Sequence, residues 1–345
     1  MADLDFDPSG VALKNGSFFG LDCSAEQSEI LIQSLPWDVT TSYRPGTRLG
    51  PQAILEASYQ VDFYTPFLND AWKMKIATLA FPKDLLNHSQ QARTQSEKYI
   101  GFLESGGDLS SSPAMQEILM STNSENRKLQ KISYEQTKKW LSQGKKIMTV
   151  GGDHSVSFGP IQAYSEKFSD LSVLHFDAHA DLRNAYEGFE HSHASIMFNV
   201  MKLKNIQKLV QVGIRDVSPT EIEFIGSDDR IKTYFDWDLK EAAFNGRNWH
   251  QVCDEMISQL SQNVYISFDI DGLDPKLCPN TGTPVAGGLE FAQATYLIQS
   301  VRRSGRKIVG ADLVEVAPGP DGDQWDGNVG ARLLFQLCIA MSELK

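Results

Sequence analysis

Eight short apolar, β-branched runs punctuate this chain: 29–37, 73–81, 145–150, 170–176, 207–214, 230–237, 263–270 and 307–316. Most are continuous rather than alternating, as in KIMTV or VYISF, the pattern of strands buried on both faces. Between them lie segments with helical spacing, at 50–58, 133–143, 248–260 and 289–303. Strands alternating with helices predict an α/β fold, a parallel sheet covered on both sides by helices. For 345 residues, eight strands fit one large domain better than two. Residues 1–27, punctuated by Gly and Pro, read as an N-terminal arm packed on the surface or on a neighbour. Residues 83–132 hold two helical stretches around the turn SGGDLSSSP and read as an insertion between the second and third strands.

Composition excludes several classes. The net charge of −12 argues against a nucleic-acid partner, whose phosphates need a basic face, and is compatible with a small cationic substrate. No run of about 18 apolar residues is present, so no membrane span is expected. The N-terminus MADLDFDPSG lacks an apolar signal core, and the four cysteines form no CxxC pair. A cytoplasmic protein with reduced thiols is the expectation.

In a parallel sheet, ligands collect beyond the carboxyl ends of the strands. GGDHS, FDAHAD, SFDIDGLDP and VEVAPG follow four of the predicted strands there, delivering His154, Asp177, His179, Asp181, Asp269, Asp271 and Glu315 to one rim. Alternate residues of an extended segment share a side. Asp177, His179 and Asp181 therefore converge while Ala178 and Ala180 turn away, and Asp269 and Asp271 repeat the device. So many carboxylates repel one another unless cations join them, and a mixed carboxylate and imidazole set suits Mn²⁺ or a related first-row ion. The four aspartates balance two divalent ions, leaving a site poised for a cationic substrate and a metal-activated nucleophile. Each element has a plainer reading, DxHxD as a solvated loop or GGDH as a tight turn. Four of them in register with four strand ends are improbable as decoration.

These residues resemble the ureohydrolases, the family of arginase and agmatinase. The matching stretches are GGDHS, DAHADLR, SFDIDGLDP with TGTPVAGGL, DLVEVAP and, upstream, TTSYRPGTRLGPQAILEAS; together they span about residues 28 to 343. The resemblance implies a three-layer α/β/α arginase-like fold with an eight-stranded, mainly parallel sheet. It implies two divalent ions, Mn²⁺ or in some relatives Ni²⁺. His154, Asp177, Asp181 and Asp269 would hold one, and His179, Asp177, Asp269 and Asp271 the other. It also implies that Glu315 aligns the guanidinium, that Asp274 helps move the proton of the attacking oxygen, that Thr283 contacts the substrate, and that His193 shuttles protons to the departing amine. Glu315 could instead be a buried acid paired with a basic neighbour, and His193 a capping or core histidine. His175 and His191 fit no part of the pattern and are expected to be supporting or structural. Trimers or hexamers are expected of the family.

The interval LRNAYEGFEHS departs from the arginase pattern, with Arg183 where Asn is expected and bulky Tyr186 and Phe189 following. Arginine is therefore disfavoured as substrate, and agmatine is the first expectation, with free guanidine or a guanidino acid as alternatives. GPDGDQWDGNVG is a second departure: Trp325 either packs on the surface or stacks over the metal rim and shortens the pocket. Two rivals stay open. A mononuclear deacetylase-like enzyme would not need His154 or Asp271, and a non-catalytic relative would be expected to lack ligands that are all present here.

Overall fold

A computed structural model describes residues 7–344. Its eight strands are β1 (Ile30–Leu35), β2 (Ile76–Thr78), β3 (Lys146–Gly151), β4 (Leu171–Phe176), β5 (Ile206–Ile214), β6 (Ile231–Phe235), β7 (Asn263–Asp269) and β8 (Lys307–Val314). All eight coincide with the apolar runs. They form one sheet in the order β2-β1-β3-β8-β7-β4-β5-β6, and every pairing is parallel. The helices are α1 (Gly50–Ser58), α2 (Lys83–Glu104), α3 (Pro113–Ser142), α4 (Phe158–Lys167), α5 (Ile196–Val200), α6 (Pro219–Ser227), α7 (Asp236–Phe244), α8 (Trp249–Ser258), α9 (Phe291–Arg303) and α10 (Trp325–Met341).

Alternation along the strands supplies both cores. Met148, Leu174, Val210 and Ile266 join one large apolar cluster with α1, α8, α9 and α10. Ile147, Val173, Leu209 and Tyr265 turn the other way, into a second cluster with α4 and α5. Burial on both faces accounts for the continuous apolar runs. Among the described residues no helix is long and apolar enough to cross a membrane.

Two sequence expectations need correction. The boundary at residue 132 falls inside α3, which runs unbroken through the 133–143 segment, so the two predicted pieces are one helix. The Gly- and Asp-rich stretch after Glu315 is loop only as far as Gln324, after which α10 begins. The arm packs on its own chain: Phe18 and Phe19 are buried, and Phe19 meets Phe335 edge-on at 5.5 Å. Residues 1–6 of the arm lie outside the described residues.

One row of the sheet stands out. Register places Gln33, Thr149, Asp312, Ser267, His175, Gln211 and Thr233 side by side on β1, β3, β8, β7, β4, β5 and β6. Every position in the row is polar, and all but Thr233 are buried. It lies at the carboxyl ends of the strands, just before the acids that follow β4 and β7.

Close backbone approach constrains this rim. A Cβ on Gly152 would lie 1.9 Å from the carbonyl oxygen of Trp37, and the Gly152 carbonyl accepts the Glu315 N–H at 2.8 Å. Neither backbone can yield without moving the rim. Gly152→Ala is therefore expected to cost at least the upper end of the usual overpacking range of about 1–3 kcal/mol. Thermal unfolding measures it, and an unchanged Tm would contradict the tight packing.

Candidate metal centre

The four central strands, β3, β8, β7 and β4, end side by side, and each supplies part of one buried cluster. His154 follows β3. Its Nδ1 lies 3.2 Å from Asp177 Oδ2, 3.0 Å from Asp181 Oδ2 and 3.5 Å from Asp269 Oδ2. His179 forms a second pole, with Nδ1 at 3.4 Å from Asp177 Oδ1 and 3.1 Å from Asp271 Oδ2. Asp177 thus offers one oxygen to each pole. Asp269 is tied only to the first pole by these distances; its other oxygen accepts the Asp271 N–H at 2.8 Å.

Local backbone aims these groups. Asp177 Oδ1 accepts the His179 N–H, and Asp269 caps the turn that carries Asp271. Asp181 and Glu315 sit in the left-handed region, at φ 55° and 63°, a conformation that costs about 1–3 kcal/mol each and persists at sites where it serves function. Glu315 Oε1 accepts the His154 N–H at 2.8 Å. Its other oxygen is buried and has no partner.

The electrostatics call for cations. Burial, and then the charge of Asp177, push the Asp181 carboxyl up to about 7. Burial, with Asp271 and Asp177 beside it, raises Asp269 well above the usual range, and burial with Asp153 nearby does the same to Glu315. Burial works against charge on His154 and His179, yet the surrounding aspartates raise both well above an ordinary imidazole. A cluster that must gather protons to offset its own repulsion matches a site built for divalent ions. The donors also fit such ions, because oxygens and imidazole nitrogens meet in two overlapping groups that share Asp177.

A cavity of about 140 Å³ opens onto the cluster, lined by Ser42, His179, Asp181, Arg183, Tyr186, His193, Ala194, Asp216, Glu221 and Thr283. Thr283 Oγ1 lies 3.4 Å from Asp271 Oδ2, and His193 Nε2 lies 3.4 Å from Ser42 Oγ. Burial, with His179 and Arg93 nearby, pushes His193 down to about 3, leaving a neutral ring. The Arg183 guanidinium stacks 4.6 Å from the Tyr186 ring centre, and its Nε lies 3.5 Å from Glu221.

Other candidate residues stand elsewhere. Asp274 is not among the lining residues: Oδ1 caps the Lys276 N–H, and Oδ2 lies 3.5 Å from Lys276 Nζ. Its expected role came from the family resemblance alone, and it stands three residues past Asp271. Trp325 is 46% exposed, and its indole N–H donates to the Lys276 carbonyl at 3.0 Å. Its ring lies at the surface. Phe189 is core, meeting Tyr99 edge-on at 5.3 Å, so only Tyr186 of that bulky pair faces the cavity. His191 packs against Phe158 with Nδ1 unpartnered. Asp216 was missed, although it follows β5 and the strand-end rule applied there finds it.

The helices α2 and α3 buttress the cavity walls. Arg93 donates to the Val39 and Thr41 carbonyls, and Ser96 to Val39. Tyr99, Asn123 and Asn126 donate to the carbonyls of Glu187, Gly188 and His191. Two of the loops that carry wall residues, those after β1 and β4, are therefore tied to segment 83–142.

Known proteins resemble this chain over most of its length. The arginase family matches residues 28–340. The chain belongs to the arginase family. It is 32% identical to the N(1)-aminopropylagmatine ureohydrolase of Thermus thermophilus, covering 94% of each chain. It is 29% identical to the agmatinase of Bacillus subtilis, covering 91% of this chain and 92% of that one. The crystal structure of agmatine ureohydrolase of Thermoplasma volcanium, at 22% identity, covers 92% of this chain and 91% of that chain with a TM-score of 0.68. This arginase-family protein is thus a metal-dependent ureohydrolase acting on a guanidino group; the family implies a binuclear divalent metal centre, and the cluster is the candidate site for it.

Proposed function

We propose that the protein hydrolyses agmatine to putrescine and urea. The observation that carries the reading is the buried, unpartnered oxygen of Glu315 beside a carboxylate and imidazole cluster. A planar guanidinium offers that oxygen the N–H donors it lacks. His154, Asp177, Asp181 and Asp269 would hold one ion and His179, Asp177, Asp269 and Asp271 the other, Mn²⁺ before Ni²⁺. When bound, the pair supplies a water acidified enough to act as nucleophile at neutral pH. Glu315 aligns the guanidinium carbon toward the cluster, and Thr283 contacts its nitrogens. His193, neutral at rest and on the cavity wall, takes up the proton given off by the attacking water and passes it to the amine as the C–N bond breaks. Water adds across that bond, so urea and a protonated amine balance the reaction.

A second reading, hydrolysis of free guanidine to urea and ammonia, is favoured by one observation. The cavity is about 140 Å³, below the ~300–1,000 Å³ usual for small-molecule pockets. Under either substrate we expect a cytoplasmic location, a single domain in which the helical segment beginning at residue 83 is an addition, and a trimer or hexamer, which light scattering measures.

Urea release from agmatine, guanidine, guanidinobutyrate and arginine, each with Mn²⁺ and with Ni²⁺, tests the substrate. Agmatine is expected to lead and arginine to be poorest. Guanidine ahead of agmatine would establish the second reading, and arginine in first place would overturn the argument from Arg183 and Tyr186. No urea from any of them, with both ions loaded, would make the protein a non-catalytic relative.

A further inference from the structure

The polar row across the sheet contains a chain of hydrogen bonds that ends on Asp177. Thr233 Oγ1 donates to Gln211 Oε1 at 2.8 Å. Gln211 Nε2 lies 2.8 Å from the Ala180 carbonyl oxygen and 3.0 Å from His175 Nδ1. His175 Nε2 lies 2.8 Å from Asp177 Oδ2. His175, Gln211 and Asp177 are each fully buried, so no water competes for these bonds.

The directions of the chain follow from its ends. Only an NH₂ group can satisfy the Ala180 carbonyl, so the Gln211 amide nitrogen faces inward and its oxygen faces Thr233. Its second hydrogen then points at His175 Nδ1, which must be the acceptor. The ring proton is left on Nε2, aimed at Asp177. His175 stands close enough to the cluster to be counted among its possible ligands, but in this tautomer neither nitrogen has a lone pair free for a metal. With the His179 N–H on Oδ1, both oxygens of Asp177 are held by protein donors.

We propose that Thr233, Gln211 and His175 are positioning residues that fix the rotation of the Asp177 carboxylate, so that each of its oxygens serves one ion. The proposal rests on the binuclear reading of the site. Donors behind a ligating group preorganise it, and their loss typically costs about 10- to 100-fold in metal affinity.

The test is equilibrium dialysis of Mn²⁺ against the full-length protein and its variants, with urea release followed as metal is raised. Unsubstituted protein must first bind two ions; if it does not, the binuclear reading fails and the variants are not needed to say so. Gln211→Leu is expected to weaken Mn²⁺ binding about 10- to 100-fold. Its activity deficit should shrink as Mn²⁺ is raised, with KM for substrate little changed. Thr233→Val should weaken binding severalfold, and Thr233→Ser, which keeps the hydroxyl, should restore it. Gln33→Leu is the control, removing a buried amide from the same row at the far end of the sheet, where it bonds Thr137 and Thr149. Equal loss of affinity in Gln33→Leu and Gln211→Leu would overturn the proposal in favour of a general packing role. Unchanged affinity in a folded Gln211→Leu protein would overturn it directly. One whole metal equivalent lost in His175→Phe, with Gln211→Leu unaffected, would make His175 a ligand and end the argument from its tautomer.

Discussion

Asp177→Ala is expected to lose both ions together and to lower kcat/KM by more than about a thousandfold, a barrier increase of about 4 kcal/mol. The reason is the position of one side chain between two poles. Asp177 Oδ2 faces the His154 nitrogen and Oδ1 faces the His179 nitrogen, so no other acid in the cluster reaches both imidazoles by the measured distances. Removing it also strands the His175 N–H, which has Asp177 as its acceptor. Metal analysis of the purified variant after dialysis against Mn²⁺ decides the matter. A folded Asp177→Ala protein that still holds two ions would refute the bridging role, and one that keeps a single tight ion would return the mononuclear alternative.

Glu315→Gln is expected to keep both ions and still lose about 100- to 1,000-fold in kcat/KM, about 3–4 kcal/mol. One carboxylate oxygen of Glu315 accepts the His154 N–H. In the glutamine variant only the amide oxygen can fill that place, so the NH₂ group occupies the position of the unpartnered oxygen. A guanidinium arriving there meets donors facing donors. The loss should appear in kcat as well as KM, because the acid both binds and aligns. Near-normal turnover with both ions present would remove Glu315 from the substrate and leave it as a buried partner of the His154 backbone.

The eight strands were legible because continuous apolar runs are what two-sided burial demands, and little else in a soluble chain produces them. The convergence of Asp177, His179 and Asp181, and of Asp269 and Asp271, was legible for a related reason: period-two spacing at a strand end points side chains the same way. Helices were less legible. In α10, Gly327 and Gly330 read as loop, yet a Cβ at Gly327 would lie 2.9 Å from the Ala53 carbonyl oxygen and one at Gly330 3.0 Å from Ile54. Those glycines let α10 close on α1, and in a lone sequence a packing glycine and a loop glycine look alike.

The chain alone therefore determined the layered α/β class, the strands, and the acids and imidazoles carried at their ends, since most of these depend on local periodicity. The tertiary structure decided the rest. Strand order β3-β8-β7-β4 brings together ends far apart in the chain, leaves Asp274 and Trp325 out of the cavity lining, and brings Arg183, Tyr186 and Asp216 onto its wall. It also aligns Thr233, Gln211 and His175 behind Asp177. Those outcomes depend on which strands are neighbours and in what register, and that is set by the packing of the whole core rather than by any short stretch of residues.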